Sequence, residues 1–137
     1  MFTNIRVYAP GRWCSIAIPF LFLIIIPRTA WAQPVNRFSV VIDEIFPDPS
    51  PSVGLPAYEF IEVKNVSAHP ISLRHWKISD GSATATIQAD LTLAPDSFLI
   101  ICPNAAVPYY ESYGTTIGVS NFPSLNNDGD IISLYAA

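Results

Sequence analysis

The sequence predicts an all-β protein, an antiparallel β-sandwich, and three observations indicate it. Short stretches rich in Val, Ile, Phe, Tyr and Thr recur between Phe38 and Tyr135. Turn-forming sequences such as NVSAHP, SDGS and NNDG separate these stretches. The same region lacks the sustained period of an α-helix, and the thirteen prolines of the chain would interrupt a long one. Short strands joined by turns, without intervening helices, are typical of a sandwich of immunoglobulin type.

Six segments carry the strand pattern in chain order. They are Phe38–Phe46, Tyr58–Lys64, Ile71–Ser79, Ala83–Gln88, Ser97–Cys102 and Ile131–Tyr135. Trp76 in the third segment shares a face with Ile78, and we expect it to pack in the core. The stretch Pro103–Ser124 is too long for a tight turn. We expect an ordered loop there, with a short helical turn near Ala106–Ser112.

Glu59 and Glu62 place two acidic side chains in the second segment. Side chains alternate between the faces of a strand, so Glu59 shares a face with Ile61 and Val63. That face is the better candidate for the core. Glu59 is then expected at the beginning of the strand, on the solvent-exposed rim of the sandwich, and Glu62 on the outer face beside Lys64. The two carboxylates are predicted to point apart, which argues against a general acid–base pair.

The beginning of the chain has the features of an export signal. Arg6 and Arg12 precede an apolar run of eleven residues, Ile16–Ile26, and the small-residue sequence AWA ends at Ala32. A bilayer-spanning helix needs about 20 apolar residues, so this run is short for a span. We expect a signal-peptide helix over residues 1–32, cleaved after Ala32, with an uncleaved anchor as the alternative.

The expected mature chain consists of a linker, residues 33–37, and one β-sandwich domain, residues 38–137. About a hundred residues can bury one hydrophobic core. The last predicted strand hardly begins to turn back, so we expect the sequence to be a fragment of a longer protein, with a C-terminally truncated domain. Only Cys102 follows the cleavage site, so stability is expected from the core and not from a disulfide.

The charge of the expected mature chain restricts its partners. Residues 33–137 contain four basic and eleven acidic side chains, a net charge of −7. A basic surface that could neutralise phosphates is not predicted, which argues against nucleic-acid binding by this segment alone. Repulsion from anionic headgroups argues in the same way against membrane binding after the signal is cleaved.

Acidic side chains near strand ends are candidates for a calcium site. Asp43, Glu44 and Asp48 lie on the first strand and at its exit, and Asp80 lies at a hairpin. Calcium takes about six to eight oxygen ligands, but the spacing of these acids does not define a site, so the structural interpretation is preferred and no other cofactor is expected. Asn65–Ser67 fits the N-glycosylation pattern. No nucleophile elbow, phosphate loop or His-Glu-x-x-His motif is present in the sequence.

The aromatic side chains of the long loop are candidates for a binding surface. They are Tyr109, Tyr110, Tyr113 and Phe122. Loops carried on a rigid sandwich commonly bind partners. The alternative is that these rings cover the open end of the core.

Four stretches of the sequence together resemble the lamin-tail domain, in the form found in exported bacterial proteins. They are VVIDEIFPDP, YEFIEVKNVSAHPISLRHWKISDG, LTLAPDSFLII and SLNNDGDIISLY, and the resemblance extends from Ser39 to Ala137. It implies an immunoglobulin-like sandwich with a binding or tethering role. Because the family continues past LYAA with a turn and a final strand, the resemblance also implies that this domain lacks its final strand and that further domains of the same polypeptide are missing. It also implies structural anchors at Glu62, Asn65, Trp76 and Asp80.

These observations favour a non-catalytic module of an exported or cell-surface protein. Its loops would bind another protein or a cell-surface glycan. The alternative is a substrate-positioning domain of a fragmentary secreted hydrolase or nuclease that depends on a metal. A spacer in a surface array is a third hypothesis. The first and third are favoured because a convergent acid, base and nucleophile are not identifiable.

Overall fold

The computed structural model describes residues 36–47, 49–51 and 53–137. Its strands are β1 Val40–Phe46, β2 Phe60–Asn65, β3 Ile71–Ser72, β4 Lys77–Ser79, β5 Thr84–Thr86, β6 Thr92–Leu93, β7 Phe98–Pro103, β8 Thr116–Val119 and β9 Ser133–Tyr135. A 3-10 turn, Asn104–Ala106, and the helix α1, Val107–Tyr110, connect β7 to β8. The predicted signal peptide, residues 1–32, lies outside the described residues.

The strands form two layers around a hydrophobic core. One layer is a four-stranded sheet in the order β1-β2-β7-β8, and the other consists of the pair β3-β6 and the sheet β5-β4-β9. The four-stranded sheet contributes the buried side chains of Val40, Ile61, Val63, Leu99, Ile101 and Val119. The facing layer and its connections contribute Ile71, Leu73, Trp76, Ile78, Ala85, Ile87 and Leu93. The predicted all-β sandwich is confirmed, and Ile61 and Val63 face its core as expected.

The predicted strand Ile71–Ser79 is divided by a turn. His75 has a φ of 67°, a left-handed conformation that is uncommon for a residue with a side chain, and the N–H of Trp76 donates to the carbonyl of Leu73 at 3.1 Å. The turn redirects the backbone, so β3 pairs with β6 while β4 pairs with β5 and β9. Trp76 is buried beyond the turn, in the core position expected for it.

The stretch Pro103–Ser124 is more ordered than a loop. The helical turn expected near Ala106–Ser112 is present as α1, but the chain then returns as the unpredicted strand β8. β8 runs parallel to β7, whereas the other strand pairs among the described residues are antiparallel, as the sequence predicted. A parallel neighbour needs a crossover connection, and the 3-10 turn and α1 supply it.

Gly118 permits the close approach of β8 to this crossover. A Cβ atom at position 118 would lie 2.8 Å from the Cα of Asn104 and 2.9 Å from Cγ2 of Val107. Contacts this short require the backbone to move, so any larger residue would push β8 away from the turn.

A second hydrophobic cluster lies on the outer face of the four-stranded sheet, under α1. Its buried members are Phe60, Ile100, Cys102, Ala106 and Tyr110. Burial raises the pKa of the Cys102 thiol to about 11, so the thiol keeps its proton at neutral pH and packs as a small hydrophobic group. The face predicted to be outward in β2 is therefore partly covered. Among the described residues, no helix has the length and apolarity to cross a membrane.

Candidate functional site

The four candidate aromatic residues occupy three different environments. Tyr109 and Tyr113 are 53% and 54% exposed. Tyr110 is only 1% exposed, and Phe122 is half-buried against the main core. Tyr110 and Phe122 therefore do not belong to an exposed binding surface, because their rings cover hydrophobic clusters. Tyr110 and Phe122 thus cover the core, which is the alternative to binding, and Tyr109 and Tyr113 are the candidates for a binding surface.

Tyr110 fixes α1 to the sheet and to the segment before β2. Its ring packs edge-on against Phe60, with 5.1 Å between the centroids. Its hydroxyl donates to the carbonyl of Tyr58 at 2.5 Å and is within 3.2 Å of the carbonyl of Pro56. Burial raises the pKa of Tyr110 to about 12, so the hydroxyl keeps its proton and remains a donor at neutral pH.

Three tyrosines form a surface over this support, which we call the tyrosine surface: Tyr58, Tyr109 and Tyr113. The ring centroids of Tyr58 and Tyr109 lie 5.0 Å apart, and those of Tyr110 and Tyr113 lie 6.1 Å apart. The Tyr113 hydroxyl donates to the carbonyl of Gly54 at 3.4 Å. Ring contacts and hydrogen bonds hold these side chains in place, so a partner would meet a surface that is already ordered.

Glu62 lies on the outer face of the four-stranded sheet, and its partner in the pairing of β1 with β2 is Glu44. The ladder is irregular between Ile42 and Glu44, where Asp43 has no paired residue in β2. Burial, followed by repulsion from Glu44 and Asp43, raises the pKa of Glu62. Like charges opposite each other are unfavourable, so this acidic pair does not add to the stability of the sheet.

Glu59 points to a different neighbour. Its carboxylate accepts a hydrogen bond from the N–H of Leu125 at 3.3 Å, in the segment that leads to β9. Burial raises the pKa of Glu59, although the hydrogen bond from Leu125 opposes this shift. The two glutamates of the second segment thus have separate environments, and the structure does not bring them together as an acid–base pair.

The calcium candidates among the described residues do not form one site. Asp43 and Glu44 are exposed on β1, whereas Asp80 lies in the turn between β4 and β5. One Asp80 carboxylate oxygen accepts hydrogen bonds from the backbone of Ala83 and Ser82, which lowers the pKa of Asp80. Asp48 lies outside the described residues. Within those residues, no group of three or more His, Cys, Asp or Glu side chains could hold a metal ion.

Asn65 is a buried structural residue at the end of β2. Its side-chain nitrogen donates to the carbonyls of His69 at 2.8 Å and Leu93 at 2.9 Å. Its side-chain oxygen accepts from the N–H and the hydroxyl of Ser67, at 2.9 and 2.7 Å. The side chain thereby fixes the turn after β2 and joins it to β6. Because both amide hydrogens are used and the residue is fully buried, Asn65 is not accessible to glycosylation in the folded domain.

The sequence did not indicate Tyr58 as part of the candidate site. The strand pattern predicts that Tyr58 lies inside a strand, where its ring would be one of several side chains on an outer face. β2 begins two residues later, at Phe60, and Tyr58 lies in the connection that α1 contacts. A local pattern does not reveal a contact between residues about fifty positions apart.

Comparison with known proteins gives one family. The family model described as the Lamin Tail Domain matches residues 34–137. The searches of curated proteins and of solved structures give no match. The matched range contains both layers of the sandwich and all three members of the tyrosine surface.

Proposed function

Since the chain belongs to the lamin tail domain family, we propose that it is a non-catalytic binding or tethering module of an exported protein. The family resemblance of the sequence is thereby confirmed. Domains of this immunoglobulin-like family generally act as interaction modules. The observation that carries the proposal is the tyrosine surface, in which two rings are more than half exposed above a buried and hydrogen-bonded support.

The tyrosine surface suits a protein partner. Tyrosine offers a large contact area with few rotatable bonds, and it is enriched at the centres of protein interfaces. The net charge of −7 over residues 33–137 favours a partner with a basic surface, because complementary charge speeds association. Exposed aromatic rings also suit sugar faces, so a cell-surface glycan is the other class that the test must distinguish.

Export is supported by the sequence of the first residues. Basic residues, an apolar run and a small-residue cleavage sequence occur in the order of a secretory signal. Such a protein would act at the cell surface, in the periplasm or outside the cell. The partner is therefore sought among envelope and secreted proteins.

The test is chemical cross-linking of the whole chain to envelope and secreted proteins, followed by mass spectrometry. Wild type is compared with the double variant Tyr109→Ala/Tyr113→Ala. Tyr135→Ala is the matched control, because Tyr135 is also 54% exposed but lies on β9. We expect wild type and the control variant to capture the same protein. The double variant should not capture it. Equal capture by all three would contradict the proposal, and capture that disappears after enzymatic deglycosylation of the extract would assign the surface to a glycan.

A further inference from the structure

A polar groove separates β5 from β8 and shares no residue with the tyrosine surface. Its volume is about 370 Å³. Its hydrogen-bonding side chains are those of Thr84, Thr86, Gln88, Asn104, Ser120 and Asn121. β5 ends the sheet β5-β4-β9, and β8 ends the sheet β1-β2-β7-β8. Among the described residues, the groove therefore lies between the free edges of two sheets.

None of the described residues that line the groove has a charged side chain, although the domain as a whole is strongly acidic. A phosphate, a carboxylate or a metal ion would find no opposite charge there. Amide and hydroxyl groups can both donate and accept, so they suit a neutral ligand that is rich in hydrogen-bonding groups. The two macromolecular candidates of this kind are a polypeptide backbone and a neutral glycan.

The main chain at the edge of β5 favours a polypeptide. The N–H of Ile87 donates to the carbonyl of Trp76 at 2.9 Å, and the carbonyl of Ile87 accepts from the N–H of His75 at 2.8 Å. Both main-chain groups of Ile87, the residue that follows β5, thus point toward the residues that precede β4. Because these directions alternate along an antiparallel strand, the N–H and C=O of Thr86 point the other way, toward the groove. On the opposite wall, Gly118 of β8 adds no side chain.

We propose that this groove binds an extended peptide segment of a partner protein, free of charged side chains, which adds to the edge of β5 as a further strand. Main-chain hydrogen bonds to Thr86 would provide affinity. The neutral side chains of Gln88 and Asn104 would favour small polar residues of the peptide. A free strand edge presents donors and acceptors at the spacing of a peptide backbone, which a glycan does not match.

The test begins with a phage-displayed library of random heptapeptides selected on the whole chain. The best selected peptide is synthesised and titrated into the isotopically labelled chain by NMR. We expect the amide signals of Thr86, Gln88, Gly118 and Ser120 to shift. We also expect methylation of one backbone nitrogen of the peptide, at the position that pairs with Thr86, to weaken binding about tenfold, the loss of one main-chain hydrogen bond.

Two variants at one position separate main-chain from side-chain recognition. Thr86→Pro removes the N–H that faces the groove, at an edge position where proline is tolerated. Thr86→Val keeps the N–H and removes only the hydroxyl. We expect the peptide to bind Thr86→Pro about tenfold more weakly and Thr86→Val with nearly unchanged affinity. If Thr86→Pro does not fold, the methylated peptide gives the answer with the wild-type protein.

Three results would overturn the proposal. In the first, no selected peptide shifts the groove amides. In the second, the methylated peptide binds the wild-type protein as tightly as the unmethylated peptide does, or the unmethylated peptide binds Thr86→Pro as tightly as it binds wild type. In the third, neutral chito- or cello-oligosaccharides shift these amides and no peptide does. Peptides that shift only the signals of Tyr109 and Tyr113 would contradict peptide binding in the groove and would leave the proposed function intact.

Discussion

At the scale of single residues, Asn65 shows how much of the turn after β2 depends on one side chain. The sequence indicated a structural role only through the family resemblance. The structure adds the reason, since the amide makes four hydrogen bonds that join Ser67, His69 and Leu93 in a buried position. Removing the amide would leave the buried carbonyl of Leu93 without this donor, and such a loss costs more than the bond itself contributes.

We predict that Asn65→Ala lowers the free energy of unfolding by at least about 2 kcal/mol, because it removes several buried hydrogen bonds and leaves polar groups unpaired. Urea unfolding of the whole chain measures this. The matched control is Asn127→Ala at an exposed position, where a change within about 0.5 kcal/mol is expected. Similar losses in the two variants would contradict the anchoring role of Asn65.

Glu62 gives a prediction for pH dependence. Burial and the neighbouring acids Glu44 and Asp43 raise the pKa of Glu62 in the folded state. The folded protein then binds more protons than the unfolded chain just above the ordinary value of 4.5, so this group lowers stability as pH rises through that range. We predict that Glu62→Gln reduces this loss and gains a few tenths of a kcal/mol at neutral pH, a small value because solvent screens the pair. Thermal melts between acid and neutral pH measure it.

Asp80 provides a control, because its contribution to stability is expected to change with pH in the opposite direction. Hydrogen bonds from the backbone of Ala83 and Ser82 lower its pKa, so its contribution is present above the unfolded pKa and is lost as pH falls. Asp80→Asn should therefore lose stability at neutral pH relative to acid, whereas Glu62→Gln should gain. If Glu62→Gln instead loses stability at neutral pH, the carboxylate has a favourable partner and its assignment to an acidic pair is incorrect.

At the scale of elements, α1 is short and has little stability of its own. Its position depends on Tyr110, which contacts Phe60 and the carbonyls of Pro56 and Tyr58. The element is therefore a support for the exposed rings on either side of Tyr110. Rigidity of this support is what the proposed binding role requires.

We predict that Tyr110→Phe lowers the free energy of unfolding by about 1 kcal/mol, because it removes a buried hydroxyl and leaves the ring packing intact. Tyr113→Phe is the matched control, since its hydroxyl makes a longer bond at an exposed position. Urea unfolding of both variants measures the difference. Equal effects would show that the Tyr110 hydroxyl does not hold α1 to the segment before β2.

The elements also show which parts of the fold the sequence could predict. Apolar composition was sufficient for β2 and β7, which are long and have one face in the main core. It failed at β3 and β4, because the left-handed conformation at His75 leaves the pattern of apolar residues unchanged while it redirects the chain. It also missed β6 and β8, which are short strands with few apolar residues. Their pairing is decided by distant partners, so local composition does not reveal it.

The sequence predicted only part of the candidate site, because the site also depends on contacts between distant residues. Aromatic composition identified the long loop, but it did not separate the buried Tyr110 from the exposed Tyr109 beside it. On a helix, neighbouring residues point in different directions, so the choice depends on which face meets the sheet. The sequence alone does not fix that orientation for a helix of one turn.

At the scale of the whole molecule, we propose separate roles for the predicted leader and the sandwich. The leader would direct export, and the sandwich would bind. We predict that the full chain, produced in a bacterial host, is recovered outside the cytoplasm with Gln33 at its N-terminus, because small residues precede that position. Intact-mass spectrometry of the exported protein measures it, and Ala32→Phe should block the cleavage. An unprocessed chain in the membrane fraction would favour the anchor alternative.

Binding of a partner to the tyrosine surface can be measured by amide hydrogen exchange of the whole chain, free and with the protein captured by cross-linking. We expect slower exchange in residues 53–58 and 107–113 on binding, because these segments carry the three tyrosines and their support. Slower exchange confined to the opposite layer that contains Tyr135, or no change in either segment, would contradict it.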